Sequence, residues 1–395
     1  MPHTERLYYT NSYLKEFDAR IIRTSPDPQG ARVYLDRTAF YPESGGQPSD
    51  YGVLAGNPLL DVVDEGDEIG HVIAEDPPFK PVHGSVDWGR RFDHMQQHTG
   101  QHILSAAFER TASYKTVSFH LGTESATIDL DSDRVGTKQI EAAEELANQV
   151  VFENRPVQIS FRPAAEAQEL ELRKPTFREG DIRLVEIEEF DLSACGGTHV
   201  NRTGGVGIIT VRKMERAKGL TRVEFVCGGR ALRRAREDFS VLTEAARLFS
   251  TGLENVPELI AKQAQELRDA GKSVQKLTED LAELQAAHLW RQAAEKGGVR
   301  VVQCLFEATE GKKAKFVAHA VGKHASAVAL IGVKGTPTAL FFAQTPGGKS
   351  SMTDVLKQTL AKFGGKGGGT RDFAQAGGVP ENELTTALEF AASLV

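Results

Sequence analysis

His98-Thr-Gly-Gln-His102 and Cys195-Gly-Gly-Thr-His199 are the two stretches on which the reading of this chain turns. On a helix, side chains four residues apart lie one above the other on one face, so His98 and His102 can grip a single ion. Cys195 and His199, separated by two glycines and a threonine, add a thiolate and a third imidazole. Three nitrogens and one sulfur form a tetrahedral donor set of the kind Zn²⁺ takes. Either pair alone is an ordinary occurrence for core or surface histidines. Together, one in helical sequence and one on a Gly-rich loop, they predict one Zn²⁺ per chain. The neighbours agree, because Phe92, Met95, Thr99, Ile103 and Ala106 fall at helical spacing, with His94, His98 and His102 striping the adjacent face.

Outward from these pairs the chain reads as an α+β protein in four segments. Residues 1–87 alternate like strands, as where Val33 and Leu35 share a face, and Pro48, Gly52, Pro58, Pro77, Pro78 and Pro81 punctuate them. This predicts a β-rich, barrel-like N-terminal domain. Residues 88–231 interleave two helices with strands at 126–131, 157–161, 182–187, 206–211 and 222–226, an α+β sandwich holding the metal pairs. The second of these helices turns Ile140, Ala143, Ala147 and Val150 inward. Residues 232–296 are helical, broken near 252–257, and carry a heptad with Ile260, Leu267, Val274 and Leu281 at one core position and Ala270, Leu277 and Leu284 at the other. A helical hairpin is predicted there, with a free coiled-coil dimer as the alternative; Gln263 and Gly271 weaken the seam. Residues 297–395 return to β-α alternation through apolar runs at 299–304, 316–321, 326–332 and 338–342, an α/β module ending in a glycine-dense stretch.

The composition is that of an ordinary globular protein, at 40% hydrophobic and 26% charged over 395 residues. No run of about 18 apolar residues suggests a membrane span, and Met1-Pro-His-Thr-Glu-Arg is not a basic-then-apolar leader. With Cys195, Cys227 and Cys304 alone, a disulfide framework is not expected, and a reducing cytoplasm is the predicted compartment. The net charge of −7 hides an asymmetry: residues 296–395 hold 12 Lys/Arg against 7 Asp/Glu, a balance of +5, so the preceding residues carry −12. A basic end on an acidic body suits a protein that holds RNA backbone in one place and does chemistry in another. A lysine-dotted solvated surface is the plain alternative.

The ordered motifs resemble the editing domain of alanyl-tRNA synthetase, which also occurs in free-standing AlaX-type proteins. Beside the two metal motifs, Thr38-Ala-Phe-Tyr-Pro-Glu-Ser-Gly-Gly-Gln-Pro-Ser-Asp50 resembles that family's threonine and glycine-rich loop. Val117-Ser-Phe-His-Leu-Gly122 resembles the segment after the metal helix, and Gly364-Gly-Lys-Gly-Gly-Gly-Thr-Arg-Asp-Phe-Ala-Gln-Ala-Gly-Gly378 the signature of the DHH-associated C-terminal domain. The chain leaves no room for the synthetase's aminoacylation core and shows no ATP-binding motif. The resemblance therefore implies a long-form, stand-alone editing protein: a zinc-dependent aminoacyl-tRNA hydrolase that cleaves the ester of alanine tRNA mischarged with serine first and glycine second. A small apolar site for alanine rejects a substrate bearing one extra hydroxyl by only about 10²-fold, which is why a second, hydrolytic site is needed. A tRNA-binding regulator without hydrolysis, and a broader aminoacyl-tRNA deacylase, are the competing readings.

Residue roles follow from the same resemblance. His98, His102, Cys195 and His199 bind zinc, either as an organiser of the pocket or as a Lewis acid with one ligand displaced. Thr38 is the candidate reader of the serine hydroxyl, against a plain strand threonine. Gly45 and Gly46 allow close approach to substrate, against a plain turn, and Gln47 offers a polar contact. His120, where the synthetase often has glutamine, is the candidate that positions water or the ribose hydroxyl. His94 is surplus to a four-ligand shell, and Cys227 and Cys304 are small buried hydrophobes. Lys362, Lys366 and Arg371 around the glycine run are candidate contacts to tRNA phosphates, against a flexible surface turn. tRNA is the expected partner, no membrane contact is expected, and a homodimer through the helical hairpin or the C-terminal module stays open.

Overall fold

The structure, a computed structural model, describes residues 3–78, 80–177 and 179–395. The chain divides into two compact units, Met1–Glu244 and Ala245–Val395. The mixed α+β class expected from the sequence is what the elements give.

In the first unit, strands Glu16–Asp27, Gly30–Leu35, Ile69–Ile73, Asn57–Asp64, Gly52–Leu54 and Pro81–Val86 close a barrel in that order. Alternation fills it: Phe17, Val33, Leu35, Phe40, Leu59, Ile69 and Ile73 point inward and pack as one core. One polar pair lies among them. His71 is fully buried, its Nδ1 lies 3.0 Å from the Val33 carbonyl and its Nε2 2.8 Å from Thr38 Oγ1. Burial pushes this imidazole down to about 4.

The helix Trp88–Ala112 follows the barrel directly. Asp87 caps it, its carboxylate accepting from the Arg90 amide at 3.1 Å, and Ser113 ends it in the left-handed conformation at φ 57°. Sequence periodicity predicts one buried stripe; the structure buries the helix on nearly every side from Arg91 to Phe108. Close packing explains this. A Cβ at Gly100 would lie 2.3 Å from Cys227 Sγ, so glycine lets strand Leu220–Cys227 press onto the helix. That strand belongs to a four-stranded antiparallel sheet ordered Ile209–Ala217, Leu220–Cys227, Ala126–Leu130, Thr116–Leu121. A three-stranded sheet, Val157–Pro163, Asp181–Ile187, Asp191–Ala194, and the helix Thr137–Glu153 complete this body. The strand expected from 206 begins at Ile209, because Thr203–Val206 winds into a 3₁₀ turn first.

In the second unit, Val256–Gln292 is a single long helix. Its far end buries Ala282 and Ala286 chiefly against the helix Gly311–Gly322, which itself packs on a six-stranded sheet, while Ile260, Leu267, Val274, Leu277, Leu281 and Leu284 of the heptad are each more than half exposed. The sheet runs Glu295–Lys296, Val299–Phe306, Ala327–Val333, Ala339–Gln344, Phe373–Gly377, Lys366–Gly369. Only the pairing of Val299–Phe306 with Ala327–Val333 is parallel, joined through the helix Gly311–Gly322. The apolar run 316–321 lies in that helix. The glycine run forms an edge strand: a Cβ at Gly367 or Gly369 would come within 2.2 Å of the facing carbonyls of Gln375 and Phe373. Among the described residues, no helix is long and apolar enough to cross a membrane.

Candidate metal centre

The buried helix carries His98 and His102 one turn apart, ring centroids 5.4 Å from each other. Strand Asp191–Ala194 delivers Cys195, whose amide donates to the Arg183 carbonyl at 3.1 Å while Arg183 Nη1 donates back to the Cys195 carbonyl at 2.6 Å. The chain then passes over the His98 ring so closely that a Cβ at Gly197 would sit 2.1 Å from His98 Cε1. Only glycine permits that passage, and it returns His199 to the same point.

Cys195 Sγ lies 3.4 Å from His98 Nε2 and 3.3 Å from His199 Nε2, and the four donor atoms all fall within 4.8 Å of one another. Metal bonds of 2.0–2.3 Å in a tetrahedral shell put neighbouring ligand atoms roughly 3.3–3.8 Å apart. The donor set and these edges fit a metal ion. Each imidazole is also held from behind. His98 Nδ1 is 2.8 Å from Gln47 Oε1, His102 Nδ1 is 2.9 Å from Asp191 Oδ2, and His199 Nδ1 is 3.1 Å from Thr99 Oγ1. With Nδ1 engaged, Nε2 of all three turns to the common centre. Burial alone would raise the Cys195 thiol, but the imidazoles of His98 and His199 and hydrogen bonds from His102 and His199 hold it well below the ordinary thiol range. Burial pushes His199 down to about 3. For His102 burial also acts downward, yet the Asp191 carboxylate and Cys195 prevail and lift it to about 9.

A cavity of about 220 Å³ opens onto the cluster, walled by His98, His102 and Cys195 and by Tyr41, Gln101, Ser118, Arg173 and Lys174. Gly45 lines it with a left-handed φ of 59° and open space where a Cβ would be. Gly46 instead serves packing: its Cβ would meet the Phe119 carbonyl at 2.7 Å, and its own carbonyl accepts from the Leu121 amide at 3.0 Å.

Three expected site residues are not among those lining this cavity. Thr38 does not line the cavity. His71 Nδ1 can only donate to the Val33 carbonyl, which leaves Nε2 as an acceptor, so the Thr38 hydroxyl spends its proton on His71 and accepts from the Phe40 amide at 3.1 Å. Gln47 is fully buried and faces the protein: its amide holds His98, accepts from the Thr198 amide at 3.1 Å and donates to Thr198 Oγ1 at 2.9 Å. His120 is exposed, because strand alternation turns it away when Phe119 packs on the His98 ring at 5.3 Å. His94 stays outside the cluster, its Nδ1 buried without a hydrogen-bond partner. Lys362, Lys366 and Arg371 belong to the second unit, all exposed.

Sequence reasoning missed Asp191. It accepts from Arg173 Nε at 2.6 Å and from Ser193 Oγ at 2.9 Å besides holding His102. The signal was available, since Asp191, Ser193 and Cys195 alternate along one strand leading into the metal motif. Arg173, Thr99 and Gln101 carried none beyond their polarity.

Among known proteins, residues 182–224 match the family described as "Threonyl and Alanyl tRNA synthetase second additional domain". The "Alanyl-tRNA editing protein AlaX-L" of Pyrococcus horikoshii is 34% identical over 406 residues, which cover 98% of this chain and 98% of that protein. The "Alanine--tRNA ligase" of Pyrococcus abyssi is 34% identical over 394 residues, 95% of this chain but 42% of the ligase. The corresponding ligase of Thermococcus kodakarensis is 36% identical over 78% of this chain and 35% of its own length, so the chain spans less than half of the ligases it matches. A solved structure, the C-Ala domain of Aquifex aeolicus alanyl-tRNA synthetase, is 20% identical with a TM-score of 0.24, covering 26% of this chain and 96% of that one.

Three outcomes are expected from this geometry. Protein purified without chelator carries about one metal ion per chain by elemental analysis, and Cys195→Ala/His199→Ala carries none. Asp191→Asn, which weakens the carboxylate behind His102, loosens metal about 10–100-fold in a chelator competition; full occupancy of the double variant would refute the quartet. Thr38→Val leaves His71 Nε2 a buried acceptor without a donor, so urea unfolding shows a loss of about 1–3 kcal/mol. A Thr38→Val protein of undiminished stability would show that the hydroxyl is free for another task.

Proposed function

This chain belongs to the alanyl-tRNA editing family, and we propose that it is a zinc-dependent hydrolase that deacylates alanine tRNA mischarged with serine and, second, with glycine. The observation that carries this reading is a three-nitrogen, one-sulfur cluster at the wall of a polar cavity, in a chain matched along 98% of its length by a protein named for alanyl-tRNA editing. The donor set suits zinc above harder cations, which prefer oxygen. When bound, zinc would supply a positive charge able to anchor or polarise the acylated terminus. The chain's own contribution is position. Gln47, Asp191 and Thr99 fix the three imidazoles, Gly45 leaves backbone exposed to the acyl group, and Gln101 and Lys174 put polar atoms on the wall where a seryl hydroxyl could be received.

The second unit supplies capture. Its basic balance and the exposed Lys362, Lys366 and Arg371 support contacts to tRNA phosphates. Hydrolysis of a free charged tRNA needs no ATP and places the protein in the cytoplasm, where charged tRNA is used.

Deacylation measured on seryl-, glycyl- and alanyl-tRNA tests the reading. Serine is expected to be released fastest and alanine slowest, with release abolished by Cys195→Ala/His199→Ala. If no ester is cleaved faster than in buffer while tRNA still binds, the protein is a binder and not an enzyme. The triple variant Lys362→Ala/Lys366→Ala/Arg371→Ala is expected to bind full-length tRNA more weakly, with the slope of log affinity against log salt reduced by roughly 2–3. Its hydrolysis of a short acylated acceptor stem should change much less. An unaltered salt slope would remove these three residues from the RNA contact.

A further inference from the structure

A second cavity, of about 380 Å³, adjoins the cavity at the His/Cys cluster. Arg173 lines both. Its amide donates to the Leu192 carbonyl at 2.9 Å and its Nε to Asp191 at 2.6 Å, so the side chain is fixed through one nitrogen. Its two terminal nitrogens make no hydrogen bond among the described residues. Glu109, Glu171 and Lys115 stand around the second cavity, and their charged groups likewise have no ion-pair partner among the described residues. Leu172 and Phe190 give it an apolar floor. Two carboxylates without ion pairs among the described residues, beside Lys115, Arg110 and the uncommitted end of Arg173, do not make a plain anion hole. They make a surface of hydrogen-bond acceptors and donors over an apolar base, which is what an unstacked nucleobase meets when a single-stranded RNA end is read by its edge.

We propose that this cavity seats the penultimate nucleotide, a cytidine, of the RNA strand whose acylated end enters the metal-side cavity, with the phosphate between them held by the terminal nitrogens of Arg173. The proposal rests on the reading of the substrate as an aminoacylated tRNA, whose acceptor end is unpaired and finishes in C-C-A. The two cavities meet at one arginine, as consecutive nucleotides meet at one phosphate. Carboxylates accept from the exocyclic amine of cytosine and repel the carbonyl that uracil carries at the same place, so Glu109 and Glu171 select cytidine. Lys115, a point charge on a flexible stem, adds attraction to the backbone without reading the base.

Binding of unacylated probes to the metal-loaded full chain tests this without any hydrolysis. The dinucleotide CpA is expected to bind about tenfold more tightly than UpA, and more tightly than adenosine, in equilibrium titration. Glu109→Gln/Glu171→Gln should bring the CpA to UpA ratio near unity with metal content unchanged, because an amide accepts from cytosine and donates to uracil alike. Lys115→Ala should weaken both dinucleotides several-fold and leave their ratio intact. CpA binding no more tightly than adenosine, or a cytidine preference that survives the double glutamine variant, overturns the assignment. Should the double variant fail to fold, the wild-type CpA to UpA comparison decides alone. A clear cytidine preference in a protein that cleaves no seryl-tRNA would sink the hydrolase reading and leave this one standing.

Discussion

The ion pair between Arg91 and Asp50 is the joint on which the metal centre depends. Both side chains are fully buried, where an unpaired charge would cost several kcal/mol. The pair is tolerated because every strong partner is supplied. Arg91 Nε donates to Asp50 at 3.0 Å, Nη1 to the Ser12 carbonyl at 2.9 Å and Nη2 to the Ala39 carbonyl at 2.6 Å, while Asp50 also accepts from the Tyr41 amide at 2.7 Å. These contacts bind the barrel to the helix Trp88–Ala112. Seven residues after Arg91 comes His98, nearly the same azimuth two turns on. Three residues before Asp50 comes Gln47, which holds His98. One loop therefore grips one helix at two points, and the rotation that satisfies the charge pair also aims the first metal ligand.

This arrangement explains what could and could not be read from the chain. The four ligands were legible because few residue types bind a soft divalent metal and the spacing of four recurs twice. The N-terminal barrel was legible as alternation with Pro and Gly punctuation. Direction was not. A resemblance assigns a residue its place along the chain, whereas the two-residue period of a strand decides which way it faces, and His120 falls on the far side of Phe119. Thr38 was legible as a strand threonine, but its proton is claimed by a histidine 33 positions away in sequence, a pairing that no local pattern announces. Asp191 escaped because carboxylates are abundant and only the fold brings one behind His102. In the second unit, the run 316–321 is too short for periodicity to separate strand from helix, and the glycine run forms an edge strand because its partner carbonyls leave no space for a Cβ.

The polar groups around the His98, His102, Cys195 and His199 cluster sort by whether they are already satisfied. Gln47, Asp191 and Thr99 each hold an imidazole of the cluster and a second partner in the protein, and all three are buried, so their effect is rigidity. Arg173 is half committed, through Nε alone, and it stands where the satisfied shell ends. Beyond it Lys115, Glu109, Glu171 and Lys174 line open cavities without ion pairs among the described residues. A buried group left unpaired would be a liability of about 1–3 kcal/mol, whereas at a water-filled wall the same group costs little until a ligand displaces the water. Recognition therefore has to be sought where hydrogen bonding is incomplete and solvent reaches, and geometric precision where it is complete and dry. By that criterion Thr38 and Gln47 fit the frame of the site, and the wall running from Lys174 past Arg173 is where a ligand would meet polar groups with hydrogen-bonding capacity left.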